Sequence, residues 1–206
     1  KEFIANFTHE IKTPLSIING YIELIEAGKD DLKKQQYLSA IHQEIEHINQ
    51  LIMAMLDLSR LESGKVELHK EDIDLEDLLM SIVETFAPIL KKKHIHVVMG
   101  DEFPHIQGDF KELKIVFQNF MSNAIKHTPQ NGHIYIKYHQ GILSFENEGK
   151  HLSHEQKETI WDTYVSSDRQ GTGLGLAICR SILELHGFQY DVCNSEKGVE
   201  FQIHIL

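Results

Sequence analysis

Phe7-Thr8-His9-Glu10-Ile11-Lys12-Thr13-Pro14-Leu15-Ser16-Ile17-Ile18 sets the architecture of the first part of the chain. Around it Ile4, Ile11, Ile18 and Ile25 recur every seven residues, and Leu15 and Ile22 fall four after Ile11 and Ile18. That spacing predicts one apolar stripe along an α-helix. The stripe stops at Ala27-Gly28-Lys29-Asp30-Asp31, a glycine stop followed by a polar turn. A second stripe runs through Leu38, Ile41, Ile45, Ile48, Ile52 and Met55. Two such helices joined by a short turn form a helical hairpin that cannot bury both stripes alone. A homodimeric four-helix bundle completes it.

His9 lies off this stripe, pointing to solvent at ~100° per residue. A lone exposed histidine reads as ordinary surface. Its neighbours point to chemistry. Thr13 is one turn on, where its hydroxyl can orient a water against a phosphorylated ring. Glu10 can hold one ring nitrogen protonated while the other attacks. Pro14 removes a helical N–H and predicts a kink there.

Glu62-Ser63-Gly64-Lys65 breaks the second helix and divides the chain into predicted domains 1–63 and 64–206, with the hinge at Ser63–Lys65. Beyond it, β-type runs (65–68, 94–99, 133–138, 142–146, 190–194, 199–205) alternate with helical ones (75–92, 110–127, 174–186). The pattern predicts an α+β chain whose second part is an α/β sandwich, one mixed sheet under one layer of helices.

Two clusters in this second part suit a phosphate ligand. Asn119, Asn123 and His127 share one face of a predicted helix, with Lys126 beside them and Leu113, Val116, Phe117, Phe120 and Met121 opposite. Asparagine oxygens can ligate Mg²⁺, and a lysine can meet a phosphate. Gly171-Thr172-Gly173-Leu174-Gly175 opens a later helix, where bare backbone N–H groups favour anions.

The formal net charge of -11, from 31 acidic and 20 basic residues, argues against nucleic-acid and anionic-membrane partners. Cys179 and Cys193 have no metal-type spacing and fit a reducing compartment. The chain is rich in histidine, 14 in all, but pairs such as His94/His96 and His151/His154 lack a supporting ligand set. No apolar run reaches the ~20 residues of a membrane span.

Residues 7–15 resemble the H-box of sensor histidine kinases, in the subgroup that pairs with winged-helix response regulators of the OmpR class. Residues 118–129 resemble the family's N-box, and 171–178 its G2 box. Phe145-Glu146-Asn147-Glu148-Gly149-Lys150-His151 occupies the G1 box, with Asn147 and His151 standing where the family has an aspartate and a glycine. An asparagine carbonyl accepts one hydrogen bond without charge assistance.

The resemblance implies an ATP site of the GHKL type. In it His9 accepts phosphate, Glu10 assists, and Thr13 serves the reverse phosphatase reaction on the regulator. Asn123 ligates Mg²⁺ and Asn119 lines the same site. Lys126 and His127 approach the phosphates, and Asn147 and Gly149 the base. Tyr164 precedes a short lid, residues 165–170, within which Arg169 takes the place of the family's usual basic residue, and Gly171, Thr172, Gly173, Leu174 and Gly175 cradle the phosphates. The implied cofactors are ATP and Mg²⁺. The implied partners are a second copy and a response regulator with a receiver domain, without direct membrane contact by this fragment. The resemblance implies a cytoplasmic domain of a membrane sensor. A chaperone or topoisomerase-type ATPase of the same fold would carry a catalytic glutamate where Asn119 stands. A degenerate kinase acting as a nucleotide-sensing or regulator-binding scaffold is the alternative that Asn147 keeps open.

Overall fold

The computed structural model describes residues 2–28, 33–64, 66–163 and 172–205, with side chains from Phe7 onward. Helix α1 runs Glu2–Glu26 and helix α2 Lys34–Glu62. They pack as a hairpin, with Tyr21 stacked on Tyr37 at 5.5 Å. Gly28 ends α1 at φ 59°, the left-handed conformation that favours glycine. Helix α1 continues through Pro14. The Thr13 hydroxyl donates to the main-chain carbonyl of His9 at 3.3 Å, an extra bond in the turn that Pro14 weakens.

Among the described residues, seven strands and four further helices follow: β1 Glu71–Asp74, α3 Leu75–Lys93, β2 His96–Met99, β3 His105–Gly108, α4 Phe110–His127, β4 His133–His139, β5 Ile142–Glu148, α5 His154–Thr159, α6 Gly175–His186, β6 Gln189–Asn194 and β7 Gly198–His204. Strands β1 and β3 form a small antiparallel pair. The others form a five-stranded sheet in the order β2-β4-β5-β7-β6. Only β2 and β4 are parallel, so the sheet is mixed.

Residues 66–68 are not in a strand, contrary to the alternation Val66-Glu67-Leu68. They lack a ladder partner, and Val66 instead packs against the core. The sequence reading also omitted β1, β3 and α5.

Strands β4 and β7 alternate as period two requires, while β5 is buried on both faces from Leu143 to Asn147. Ile134, Ile136, Leu143, Phe145, Phe201 and Ile203 turn inward and are buried. Phe117 of α4 stacks on Phe145, Phe120 meets Phe145 edge-on, and Trp161 meets Phe120 and Phe201. Asn147 continues the inward series Leu143, Phe145, Asn147. It therefore sets a polar group at the floor of the helix-covered face.

Helix α2 contributes to this second core. Leu58 and Leu61 are buried within it, and Arg60 binds Glu112 of α4 at 2.8 Å.

Candidate functional site

Helix α4 starts on a strong cap. Asp109 is buried and accepts from the backbone N–H groups of Lys111, Glu112 and His69. Burial alone would raise its carboxyl, but those three donors outweigh it and hold the group below its ordinary value. The helix then buries Leu113, Val116, Phe117, Phe120 and Met121 and turns its other face to a cavity.

That cavity has a volume of about 640 Å³. Asn119, Asn123, Lys126 and His127 of α4 line one side, Asn147 the floor, and Thr172, Gly173 and Gly175 the mouth of α6. The structure thus brings together eight residues singled out by sequence. Leu174 is fully buried and turns into the core instead, where it anchors the glycine turn. Gly149 does not line the cavity. A side chain there would meet the carbonyl of His127 at 2.8 Å, so the glycine lets this loop approach the end of α4. Tyr164, Arg169, Gly171 and the lid 165–170 lie outside the described residues.

Two glycines at the mouth have physical reasons. Gly173 has φ 65°, a conformation other residues rarely adopt. A Cβ on Gly175 would fall 2.5 Å from Asn119 Oδ1. The Asn119 amide nitrogen donates to Ile115 O at 2.9 Å, which fixes that oxygen against α6. Leu174 N–H donates to the Thr172 hydroxyl, and no side chain caps α6 among the described residues. The start of α6 thus lies against the cavity, through Gly173, Gly175 and Leu176, where helix N–H groups favour an anion.

Asn147 is 3% exposed, and its amide nitrogen donates to Glu148 O at 3.1 Å. The amide oxygen is left to accept from a ligand donor. The sequence reading missed several lining residues: Gln50, Met53, Ala54 and Asp57 of α2, and Gln156 and Ile160 in and after α5. No local motif marks them, because tertiary packing alone brings α2 to the cavity. His9, Glu10 and Thr13 are exposed on α1 and are not among the cavity's lining residues.

An α/β sandwich with polar side chains converging on a cavity between a helix face and a glycine turn suits a nucleotide-binding class of protein. The comparisons agree. A family model described as His Kinase A (phospho-acceptor) domain matches residues 1–64. One described as histidine kinase-, DNA gyrase B- and HSP90-like ATPase matches residues 108–206. The solved catalytic domain of histidine kinase ThkA is 31% identical, with a TM-score of 0.61, over 68% of this chain and 95% of that one. ThkA in complex with the response regulator protein TrrA aligns at 28% identity and a TM-score of 0.83, over 100% of this chain and 61% of that one. The heme sensor protein HssS of Staphylococcus saprophyticus is 29% identical over 98% of this chain and 46% of its own length. The alginate biosynthesis sensor protein KinB of Pseudomonas aeruginosa is 27% identical over 100% of this chain and 36% of its own length. The chain belongs to the histidine kinase family, and it spans less than half the length of these two curated relatives.

Proposed function

We propose that this chain is the core of a sensor histidine kinase that phosphorylates His9 from Mg·ATP. The observation that carries the reading is one cavity holding Asn119, Asn123, Lys126, His127 and Asn147 beside a glycine turn, in a chain that also exposes His9. Asn147 accepts from the adenine amino group through its free amide oxygen. Lys126, His127 and the N–H groups that open α6 hold the phosphates, and Gly171, Tyr164 and Arg169 complete the lid side. Asn123, with Asn119 beside it, offers oxygen to Mg²⁺. No cluster of three His, Cys, Asp or Glu side chains suited to a metal exists among the described residues, so the remaining ligands come from phosphate and water. The ion supplies charge neutralisation on the transferring group.

In the transfer, a ring nitrogen of His9 forms a bond to the γ-phosphorus. The bond from that phosphorus to the β–γ bridging oxygen breaks, and ADP leaves. Glu10 steadies the imidazole, and the protein's task is positioning. The phosphoryl group then passes to an aspartate of a receiver domain on a response regulator of the OmpR class. Thr13 orients water for the reverse phosphatase reaction through its hydroxyl lone pairs, the hydroxyl proton being held by His9 O. A second copy covers the exposed Leu15, Ile22, Leu38, Ile45 and Ile52. No helix among the described residues is long and apolar enough to cross a membrane. We assign the chain to the cytoplasmic part of a membrane sensor, with domains 1–63 and 64–206 hinged at Ser63–Lys65.

The test is incubation of the purified chain with γ-labelled ATP and Mg²⁺. The expected result is an acid-labile label that disappears in His9→Gln. Nucleotide binding without label would instead support the scaffold reading. A Thr13→Ala variant that dephosphorylates the regulator at the wild-type rate would remove Thr13 from the mechanism.

A further inference from the structure

The C-terminal end of α4 carries Lys126 and His127, and something must fix that end. Helix termini leave carbonyls without partners inside the helix, and they carry partial negative charge. The Thr128 hydroxyl takes one role: it is buried and donates to Ala124 O at 2.6 Å. The Lys93 ammonium takes another. It comes from the last turn of α3, donates to Ile125 O at 2.6 Å and reaches Thr128 O at 3.4 Å. The main chain reinforces the same corner. Asn131 N–H donates to Lys93 O at 3.1 Å, and His96 N–H donates to Gly132 O at 3.0 Å. His94, in left-handed conformation at φ 53°, ends α3 and turns the chain into β2 directly after Lys93. The α3–β2 corner is thus clasped onto the α4–β4 corner by three independent contacts.

Lys93 does not line the cavity, whereas Lys126 and His127 do. It also lies before the stretch 108–206 matched by the ATPase family model. We propose that Lys93 is a positioning residue: its ammonium clamps the last carbonyls of α4 and so sets Lys126 and His127 for the phosphates of the nucleotide. This rests on the nucleotide reading above. The ammonium's own bonds go to Ile125 and Thr128, at the phosphate end. Asn147, at the base end, belongs to β5 and has no bond to Lys93.

The experiment separates the two ends. Dissociation constants for ATP and for adenosine are measured on the whole chain, as wild type, Lys93→Met and Lys93→Arg. Methionine keeps the apolar stem and removes the charge, while arginine keeps a donor and a charge. Lys93→Met should weaken ATP binding about fivefold, the order of effect of a partly buried cation at a helix C-terminus. Adenosine binding should stay at the wild-type value, and Lys93→Arg should bring ATP affinity back to within about twofold of wild type. A melting curve reads folding for each variant. If Lys93→Met does not fold, Lys93→Gln, which keeps a short neutral donor, is measured in its stead. Unchanged ATP affinity in the charge-free variant overturns the proposal. So does parallel weakening of ATP and adenosine, which is what general loosening of the fold would give. A wild-type chain that binds no ATP overturns the nucleotide reading and the Lys93 role together.

Discussion

At the scale of single residues, Asn147 is fitted to its surroundings rather than standing as a weak copy of an aspartate. Its amide nitrogen faces Glu148 O at 3.1 Å in a site that is 3% exposed. Asn147→Asp exchanges that donor for a carboxylate oxygen pointing at a carbonyl. Equilibrium urea unfolding at neutral pH should show a loss of about 1–3 kcal/mol, the cost of an unsatisfied buried polar group. A variant as stable as wild type would mean that the carboxylate finds another donor there. His186 makes a second test. Its Nε2 accepts from Asp109 N–H at 3.0 Å and its Nδ1 donates to Ile182 O at 2.8 Å, so the ring must be neutral. Burial pushes its pKa below the ordinary 6.5. The Ile182 carbonyl, Asp109 and Glu112 pull the other way, and Lys70 adds to the lowering. The unfolded chain therefore binds a proton before the folded one does. The stability this ring contributes is complete above pH 6.5 and is lost as pH falls through the lowered folded value. The urea midpoint of the wild type should decline over that window, and that of His186→Gln should decline less. Asp109, held below its ordinary 3.8, acts in a separate and more acid window.

At the scale of elements, helix α2 carries three apolar lines, of which the sequence pattern merges two into one stripe and leaves out the third, Leu51 and Leu58. Ile41, Ile48 and Met55 are half-buried along one line of the hairpin, as are Ile11, Ile18 and Ile25 of α1. Leu38, Ile45 and Ile52 of α2, with Leu15 and Ile22 of α1, stay exposed. Leu51 and Leu58 form a third line that is fully buried, with Leu58 in the core shared with the sheet domain. A heptad repeat says that a helix has a partner; it does not say which of several partners each line meets. Helix α4 was readable end to end, because its apolar face is continuous. Strands β1 and β3 were not, since Glu-Asp-Ile-Asp and His-Ile-Gln-Gly bury little and pair only with each other. Helix α5 has no buried residue, and only the capping box of Ser153 and Gln156 marks it. The exposed line yields a prediction. Burying one isoleucine contributes about 2 kcal/mol, and a symmetric contact buries it on both copies. The double variant Ile22→Glu/Ile45→Glu should weaken self-association on the order of a hundredfold or more. Analytical ultracentrifugation reads it, and an unchanged sedimentation profile would put the dimer contact elsewhere.

At the scale of the whole molecule, His9, the proposed acceptor on α1, stands apart from the cavity, and α2 reaches both the hairpin and the cavity. Gln50, Met53, Ala54 and Asp57 of α2 line the cavity, and His9 does not. Transfer from this seat requires either that the sheet domain leave α2 or that a histidine from a second copy enter. The seat is held by Leu58 and Leu61, both buried in the core shared with the sheet domain, and by the Arg60–Glu112 pair. That pair is the adjustable part. Arg60 is 44% exposed and Glu112 10%, so screening by solvent limits its worth to about 1 kcal/mol. Arg60→Glu sets two carboxylates face to face and removes at least that much from the seated arrangement, while leaving every cavity residue in place. A shift of about 1 kcal/mol changes the ratio of seated to released molecules roughly fivefold. If release precedes transfer, Arg60→Glu should label His9 about fivefold faster at saturating ATP, with the KM for ATP unchanged. Small-angle X-ray scattering should show a larger radius of gyration in the same variant. A slower rate at unchanged KM would mean the opposite: that transfer takes place with the sheet domain seated on α2. The acceptor would then come from the partner copy, and mixing His9→Gln chains with chains carrying a disabled cavity (Asn123→Ala) would restore labelling.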